Sequence, residues 1–186
     1  MDAFADLAAD IDPLLRERAA KIRLCCFDVD GTLTDGRLWF SAAGEEMKAF
    51  HVHDGQGLRL LEDNGIAVAL ITARSSAAAE ARARDLRLSH VFTAVKDKFA
   101  CLEALRSSLG IAADEVAYLG DDLPDLAVFT HVGLAAAPAD GHAWLRERAH
   151  WVTAQNGGAG AARALCDLIL EARGLKPAVL AKFQRA

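Results

Sequence analysis

Ile22-Arg23-Leu24-Cys25-Cys26-Phe27-Asp28-Val29-Asp30-Gly31-Thr32-Leu33-Thr34-Asp35-Gly36 is the stretch on which the reading of the whole chain turns. Its first six residues form a short apolar run that stops at acidic residues, the pattern of a buried strand. Asp28 and Asp30 then stand one residue apart at the strand's end. Carboxylates so close repel, and they need a cation, a shared proton or solvent to coexist. At a strand end a hard, oxygen-loving ion such as Mg²⁺ is the natural answer. Gly31 lets the backbone turn sharply just there. A bare pair of this kind is as often a solvated acidic turn, so the rest of the chain has to decide.

Working outward, strand and helix patterns alternate. Phe4, Leu7, Ile11, Leu14 and Leu15 recur at spacings of three and four, which predicts a helix within residues 2–20. Residues 37–41 and 45–50 flank Ala42-Ala43-Gly44, a hairpin with glycine at the left-handed position. Further helices are predicted over 56–63, from Ser75 or Ser76 to Leu86, over 98–109, after Leu119 with Pro124 in the first turn, and over 160–173. Strands are predicted at 66–71, 90–93, 116–119, 132–135 and 151–153. This order argues for an α/β fold: a parallel sheet covered on both faces, with ligands at the carboxyl ends of its strands. The 186 residues fit one domain, with residues 175–186 as a tail.

Three more polar clusters sit where that architecture would gather them. Leu70-Ile71-Thr72-Ala73-Arg74-Ser75-Ser76 ends a buried strand on a hydroxyl that can donate to a phosphate oxygen, and the helix start behind it adds N–H groups. Lys98, in Val95-Lys96-Asp97-Lys98, opens a helix, the end that cations usually avoid. Leu119-Gly120-Asp121-Asp122-Leu123-Pro124-Asp125 again crowds acids at a strand end. Taken singly, each is an ordinary turn, surface lysine or helix-start acid.

Together and in this order, these four motifs resemble those of the haloacid dehalogenase superfamily over residues 28–125. The resemblance implies a three-layer, Rossmann-like fold and Mg²⁺-dependent phosphoryl transfer. It makes Asp28 the nucleophile that forms an aspartyl-phosphate. Asp30 becomes the acid–base residue, which also lends a backbone carbonyl to the metal. Thr72 becomes a phosphate ligand and Lys98, rather than Lys96, the cation beside Asp28. Asp28, Asp30 and Asp121 would serve the metal, with Asp122 and Asp125 behind them; Asp125 would hold metal-bound water or Lys98. Between Asp28 and Thr72 there is room only for the hairpin and one helix, which matches the capless branch of the superfamily. Members of that branch are tetramers in which a neighbouring subunit helps to close the site.

Within that branch, Trp39–Lys48, Phe50–Leu58, Ala117-Tyr118 and Gly157–Arg163 resemble the phosphatases that act on a phosphorylated sugar acid in lipopolysaccharide sugar synthesis. That likeness covers about residues 20–175. It implies Arg74, His53, Thr72 and Lys98 as substrate-binding residues. Many relatives carry arginine at the positions of His53 and Ala159, and glycine at that of Ala94. Arginine grips a carboxylate bidentately where histidine does not, so Arg74 is the residue left to bind the sugar's carboxylate. Two rivals share the motifs: a phosphatase for a nine-carbon, sialic-acid-type sugar phosphate, and a non-catalytic tetramerising domain. The presence of Asp28, Asp30, Lys98 and Asp121 together argues against the second, since a scaffold has no use for them.

Composition excludes other classes. A net charge of −5 with scattered basic residues offers no surface for nucleic acid. No apolar run reaches the ~18 residues of a membrane span. Neither GxxxxGK nor a strand-end GxGxxG is present, which sets a nucleotide-binding module aside. Cys25, Cys26, Cys101 and Cys166 form no CxxC pair and lack zinc spacing, which suits a reduced cytoplasm. The acidic N-terminus, with Asp2, Asp6, Asp10 and Asp12, does not read as a signal peptide.

Overall fold

The computed structural model describes residues 11–184. In helix α1 (Pro13–Ala20), Pro13 takes the first position and Asp12 caps it, accepting from Leu14 N at 3.0 Å. A proline further inside would remove a helical hydrogen bond and clash with the preceding turn. Phe4 and Leu7, in the first half of the predicted helix, lie outside the described residues.

Strand β1 (Leu24–Phe27) is followed by a two-stranded antiparallel hairpin, β2 (Trp39–Phe40) and β3 (Glu46–Met47). Helix α2 (Val52–Asp63), strand β4 (Ala67–Ile71), helix α3 (Ala77–Asp85) and strand β5 (His90–Phe92) come next. Then follow α4 (Lys98–Ser108), β6 (Val116–Leu119), α5 (Leu126–Phe129), β7 (Leu134–Ala137), α6 (Ala143–Arg146), β8 (Trp151–Val152), α7 (Ala161–Ala172) and α8 (Lys176–Gln184). The main sheet has six parallel strands in the order β5-β4-β1-β6-β7-β8. The chain builds outward from β1 to β5 on one side and from β6 to β8 on the other. The topological switch point therefore lies between β1 and β6, where a cleft is expected.

Alternation within the strands explains why both sheet faces are covered. Cys25 and Phe27, Val68 and Leu70, Ala117 and Leu119, Leu134 and Ala136 face one core, shared with α1, α2, α3 and α7. Leu24 and Cys26, Ala69 and Ile71, Val116 and Tyr118, Ala135 and Ala137 face the other, shared with α4 and α5. The adjacent cysteines thus point into opposite layers, and all four are free thiols. The hairpin turns on Gly44 at φ 81°, the left-handed glycine that the sequence predicts.

Some elements depart from expectation: β7 runs two residues later than predicted and α2 starts four residues earlier. Residues 176–184, read from sequence as a tail, form α8, whose Val179 is buried in the first core. The four-residue α6 is too short to leave a periodic signal. A further feature fixes the site: the loop of Gly157 and Gly158 packs on the turn after β1, with Gly158 N donating to Thr32 O at 3.0 Å. A Cβ on Gly157 would collide with the Gly31 carbonyl oxygen.

Ala94 holds a left-handed backbone, φ 56°, where a Cβ is strained. Strain of ~1–2 kcal/mol set against the chain-entropy cost of glycine, ~0.4–1 kcal/mol, predicts that Ala94→Gly stabilises the protein by about 0.5–1 kcal/mol. Gly157→Ala, by contrast, should destabilise it by roughly 1–3 kcal/mol through overpacking. Thermal melts of the two variants check both signs.

Candidate active site

The loops after β1, β4 and β6 and the start of α4 meet at the switch point and line a cleft of about 240 Å³. Asp28, Asp30, Thr72, Arg74, Lys98, Asp121, Asp122 and Asp125 all border it. Eight of the nine residues singled out from the sequence are thus brought together. His53 is not among them: it lies at the start of α2 and lines a second cavity of about 320 Å³ with His51, Ala159 and Arg163.

The turn after β1 is built by its own side chains. Gly31 sits at φ 80° against the Asp121 carboxylate, with no room for a Cβ. Thr34 Oγ1 accepts from Gly31 N and Gly36 N, each at 3.3 Å. Thr72 follows β4 and is 2% exposed. Its backbone is pinned on both sides, by Phe92 O at 2.9 Å and Val95 N at 3.0 Å, which leaves the hydroxyl facing the cleft. Ser76, not Ser75, caps α3.

Lys98 occupies the first position of α4, where Asp97 caps the helix. Its ammonium is 2.9 Å from Asp28 Oδ1 and 2.7 Å from Asp125 Oδ1. Burial would by itself lower the lysine's pKa, but the charges of Asp125 and Asp28 outweigh it and raise the value. Asp28 is pushed up to about 6 by burial and by Asp125, against the pull of Lys98. Asp121 is pushed up to about 8 by burial and then by Asp28 and Asp125.

Oxygens of Asp28, Asp121 and Asp125 lie within 4.8 Å of one another. Asp125, however, is already fully engaged. It accepts from Lys98 Nζ, from Tyr118 OH at 2.7 Å, and from the backbone N–H of Asp121 at 3.1 Å and Asp122 at 3.4 Å. Its work is to hold Lys98 and the strand-end turn. Asp28 and Asp121 are left as the carboxylates with oxygens to offer. Three carboxylates against one ammonium leave two negative charges in a buried site, and the donors are all hard oxygens, so the set fits a divalent cation. Asp122 caps the 3₁₀ turn Leu123–Asp125 through Leu123 N at 2.8 Å.

Two contributors went unassigned in the sequence. Lys48, on the hairpin, reaches Asp30. Asp54, buried in α2, accepts from Gly160 N at 3.3 Å and Arg163 N at 2.8 Å and so caps the distant start of α7. Both are ordinary charged residues in sequence; only contacts made through the fold distinguish them.

A buried carboxylate paired to a buried lysine, beside a second acid at the switch point of a parallel sheet, is an arrangement suited to phosphoryl transfer. Residues 90–165 match the family model for haloacid dehalogenase-like hydrolase. The 3-deoxy-D-manno-octulosonate 8-phosphate phosphatase of Yersinia pestis is 45% identical over 157 residues, 84% of each chain. A hypothetical protein of Xanthomonas campestris, 52% identical, superposes with a TM-score of 0.92 over 95% of this chain and 96% of its own. The 3-deoxy-D-manno-octulosonate 8-phosphate phosphatase of Moraxella catarrhalis, solved with magnesium, phosphate and KDO, is 40% identical with a TM-score of 0.88 over 91% and 97%. The chain belongs to the haloacid dehalogenase-like hydrolases, in the group formed by these sugar-acid phosphatases.

The raised pKa of Asp121 makes a prediction for the protein stripped of metal. A carboxyl whose folded pKa lies above its unfolded value stabilises the fold at low pH, and that stability is lost as pH rises through the folded value. Between pH ~4 and ~8 the metal-free wild type should therefore lose stability relative to Asp121→Asn, and Mg²⁺ should restore it to the wild type alone. Melting temperatures with EDTA and with Mg²⁺ read this directly.

Proposed function

We propose that this chain is a single-domain, Mg²⁺-dependent phosphomonoesterase that hydrolyses 3-deoxy-D-manno-octulosonate 8-phosphate to the free sugar acid and phosphate, in lipopolysaccharide sugar synthesis. The observation that carries the chemistry is the Asp28–Lys98 pair at 2.9 Å, held by Asp125 and facing Asp121. Kinship with the Moraxella catarrhalis phosphatase, solved with magnesium, phosphate and KDO, carries the substrate.

In this reading Lys98 holds Asp28 Oδ1, and the other carboxylate oxygen attacks phosphorus. As that bond forms, the bond from phosphorus to the sugar oxygen breaks, and Asp30 gives the leaving oxygen a proton. Asp30, now a carboxylate, takes a proton from water as the water attacks the aspartyl-phosphate. Phosphate leaves and Asp28 is regenerated. The Thr72 hydroxyl and the Lys98 ammonium hold the phosphoryl oxygens. Asp28, Asp121 and the Asp30 carbonyl would hold Mg²⁺, which when bound neutralises phosphoryl charge. Arg74, beside Asp30 on the rim, is the guanidinium for the substrate's carboxylate.

We also assign the protein to the cytoplasm as a homotetramer. Among the described residues, no helix is long and apolar enough to cross a membrane. Trp39, Phe40 and Met47 on the hairpin and Val52 beside it are each more than half exposed, an apolar patch that a neighbouring subunit would cover. His53 and Ala159 lie on one cavity beside that patch, so any share they take in substrate binding would come through assembly. Sedimentation should give a tetramer for the wild type and a smaller species for Trp39→Asp.

Phosphate release from a panel of sugar phosphates, with Mg²⁺ and with EDTA, tests the activity. Fast, metal-dependent release from 3-deoxy-D-manno-octulosonate 8-phosphate is expected. Faster release from a nine-carbon sugar-acid phosphate would move the substrate, and no release at all would leave a scaffold. Asp28→Asn, isosteric but a poor nucleophile, should keep the fold and abolish turnover; residual turnover would refute the covalent step.

A further inference from the structure

Four charged groups close on one another at the mouth of the cleft. Asp30 and Arg74 come from the body of the protein, Glu46 and Lys48 from the hairpin. Lys48 Nζ ion-pairs with both Asp30 Oδ1 and Glu46 Oε1. Arg74 completes the ring, with Nε 3.9 Å from Asp30 Oδ2 and Nη2 3.8 Å from Glu46 Oε2. Glu46 and Lys48 are two residues apart on an extended arm, so they project from the same face.

The Lys48 side chain is 1% exposed, although its backbone runs along an exposed hairpin. An ammonium buried to that degree depends on its partners, and breaking such a pair leaves an uncompensated charge. The lysine therefore holds Asp30 as firmly as Asp30 holds the hairpin. Its grip is on one oxygen only. Asp30 Oδ2 is buried and has no hydrogen-bond partner.

We propose that Lys48 is a positioning residue for the acid–base carboxyl: by fixing Oδ1 it leaves Oδ2, which has no hydrogen-bond partner, as the oxygen that exchanges protons. This rests on the phosphatase reading above. In the first half-reaction the proton passes from Asp30 Oδ2 to the leaving oxygen as the bond from that oxygen to phosphorus breaks and the bond to Asp28 forms. Lys48 touches neither substrate nor phosphorus; it acts through Asp30. The hairpin thus carries part of the catalytic apparatus as well as an apolar outer face.

Leaving-group dependence separates this role from a merely structural one. A sugar alkoxide needs a proton to leave, whereas p-nitrophenolate leaves without one. kcat/KM reports the steps up to phosphorylation of Asp28. Lys48→Met should therefore lower kcat/KM on the sugar phosphate by about 100-fold, the usual worth of a general acid, while kcat/KM on p-nitrophenyl phosphate stays at the wild-type value. Lys48→Arg, which keeps the charge, should recover part of the loss. An equal loss on both esters would mean that Lys48 only holds the hairpin in place, and no loss on either would mean that it does not act on Asp30; each overturns the proposal. If circular dichroism shows Lys48→Met unfolded, Lys48→Gln is read by the same ratio. Wild-type rates on both esters come first. A wild type that hydrolyses neither sinks the phosphatase reading itself, whereas an active wild type with an unsplit variant sinks this inference alone.

Discussion

One ammonium faces three carboxylates at the centre of this molecule, and the rest of the site depends on how that imbalance is held. At about 4 Å, two unit charges near a protein surface interact by ~4 kcal/mol, so Asp28, Asp121 and Asp125 cannot simply coexist. Lys98 relieves part of the repulsion, and Asp125 keeps Lys98 in place because four donors saturate it. One of these is Tyr118, a fully buried residue in β6 whose hydroxyl comes from beneath the site. The remaining excess charge is what a divalent cation answers. Charge balance, strand end and helix start are therefore one arrangement: shifting α4 by a residue would move Lys98 and undo all of it.

How much of this could be read in the sequence follows from how local each signal is. The strand-end acids, the capped helix at Lys98 and the hairpin glycine are local, and the alternation of apolar segments gives the parallel sheet. The cleft residues followed because a parallel sheet gathers its loops at one edge. The contacts of Lys48 and Asp54 were not legible in the sequence. Their partners lie 18 and more than 100 residues away, and nothing around either residue differs from a solvated charge. The start of α1 at Pro13 follows a local steric rule rather than the apolar stripe.

Ala94, His53 and Ala159 also sort by place in the fold. Ala94 keeps the turn after β5 at the expense of backbone strain, and its N–H donates to Arg74 O at 3.1 Å on the cleft's edge. His53 and Ala159 lie together on the second cavity, away from Asp28. His53 and Ala159 therefore stand apart from Asp28 and Lys98.

The contact of Gly157 and Gly158 with the turn after β1 has a consequence for synthesis. Asp28 lies in the first sixth of the chain, yet the loop that backs its turn, and the start of α7 that Asp54 caps, come in the last sixth. β1 is also central, so it needs β6 on one side before its own edge is satisfied. A chain emerging from the ribosome thus exposes its strand-end acids long before anything can hold them in shape. Competence arrives late and all at once, when the final third has been made, and a truncated product would carry every motif of the enzyme without being one.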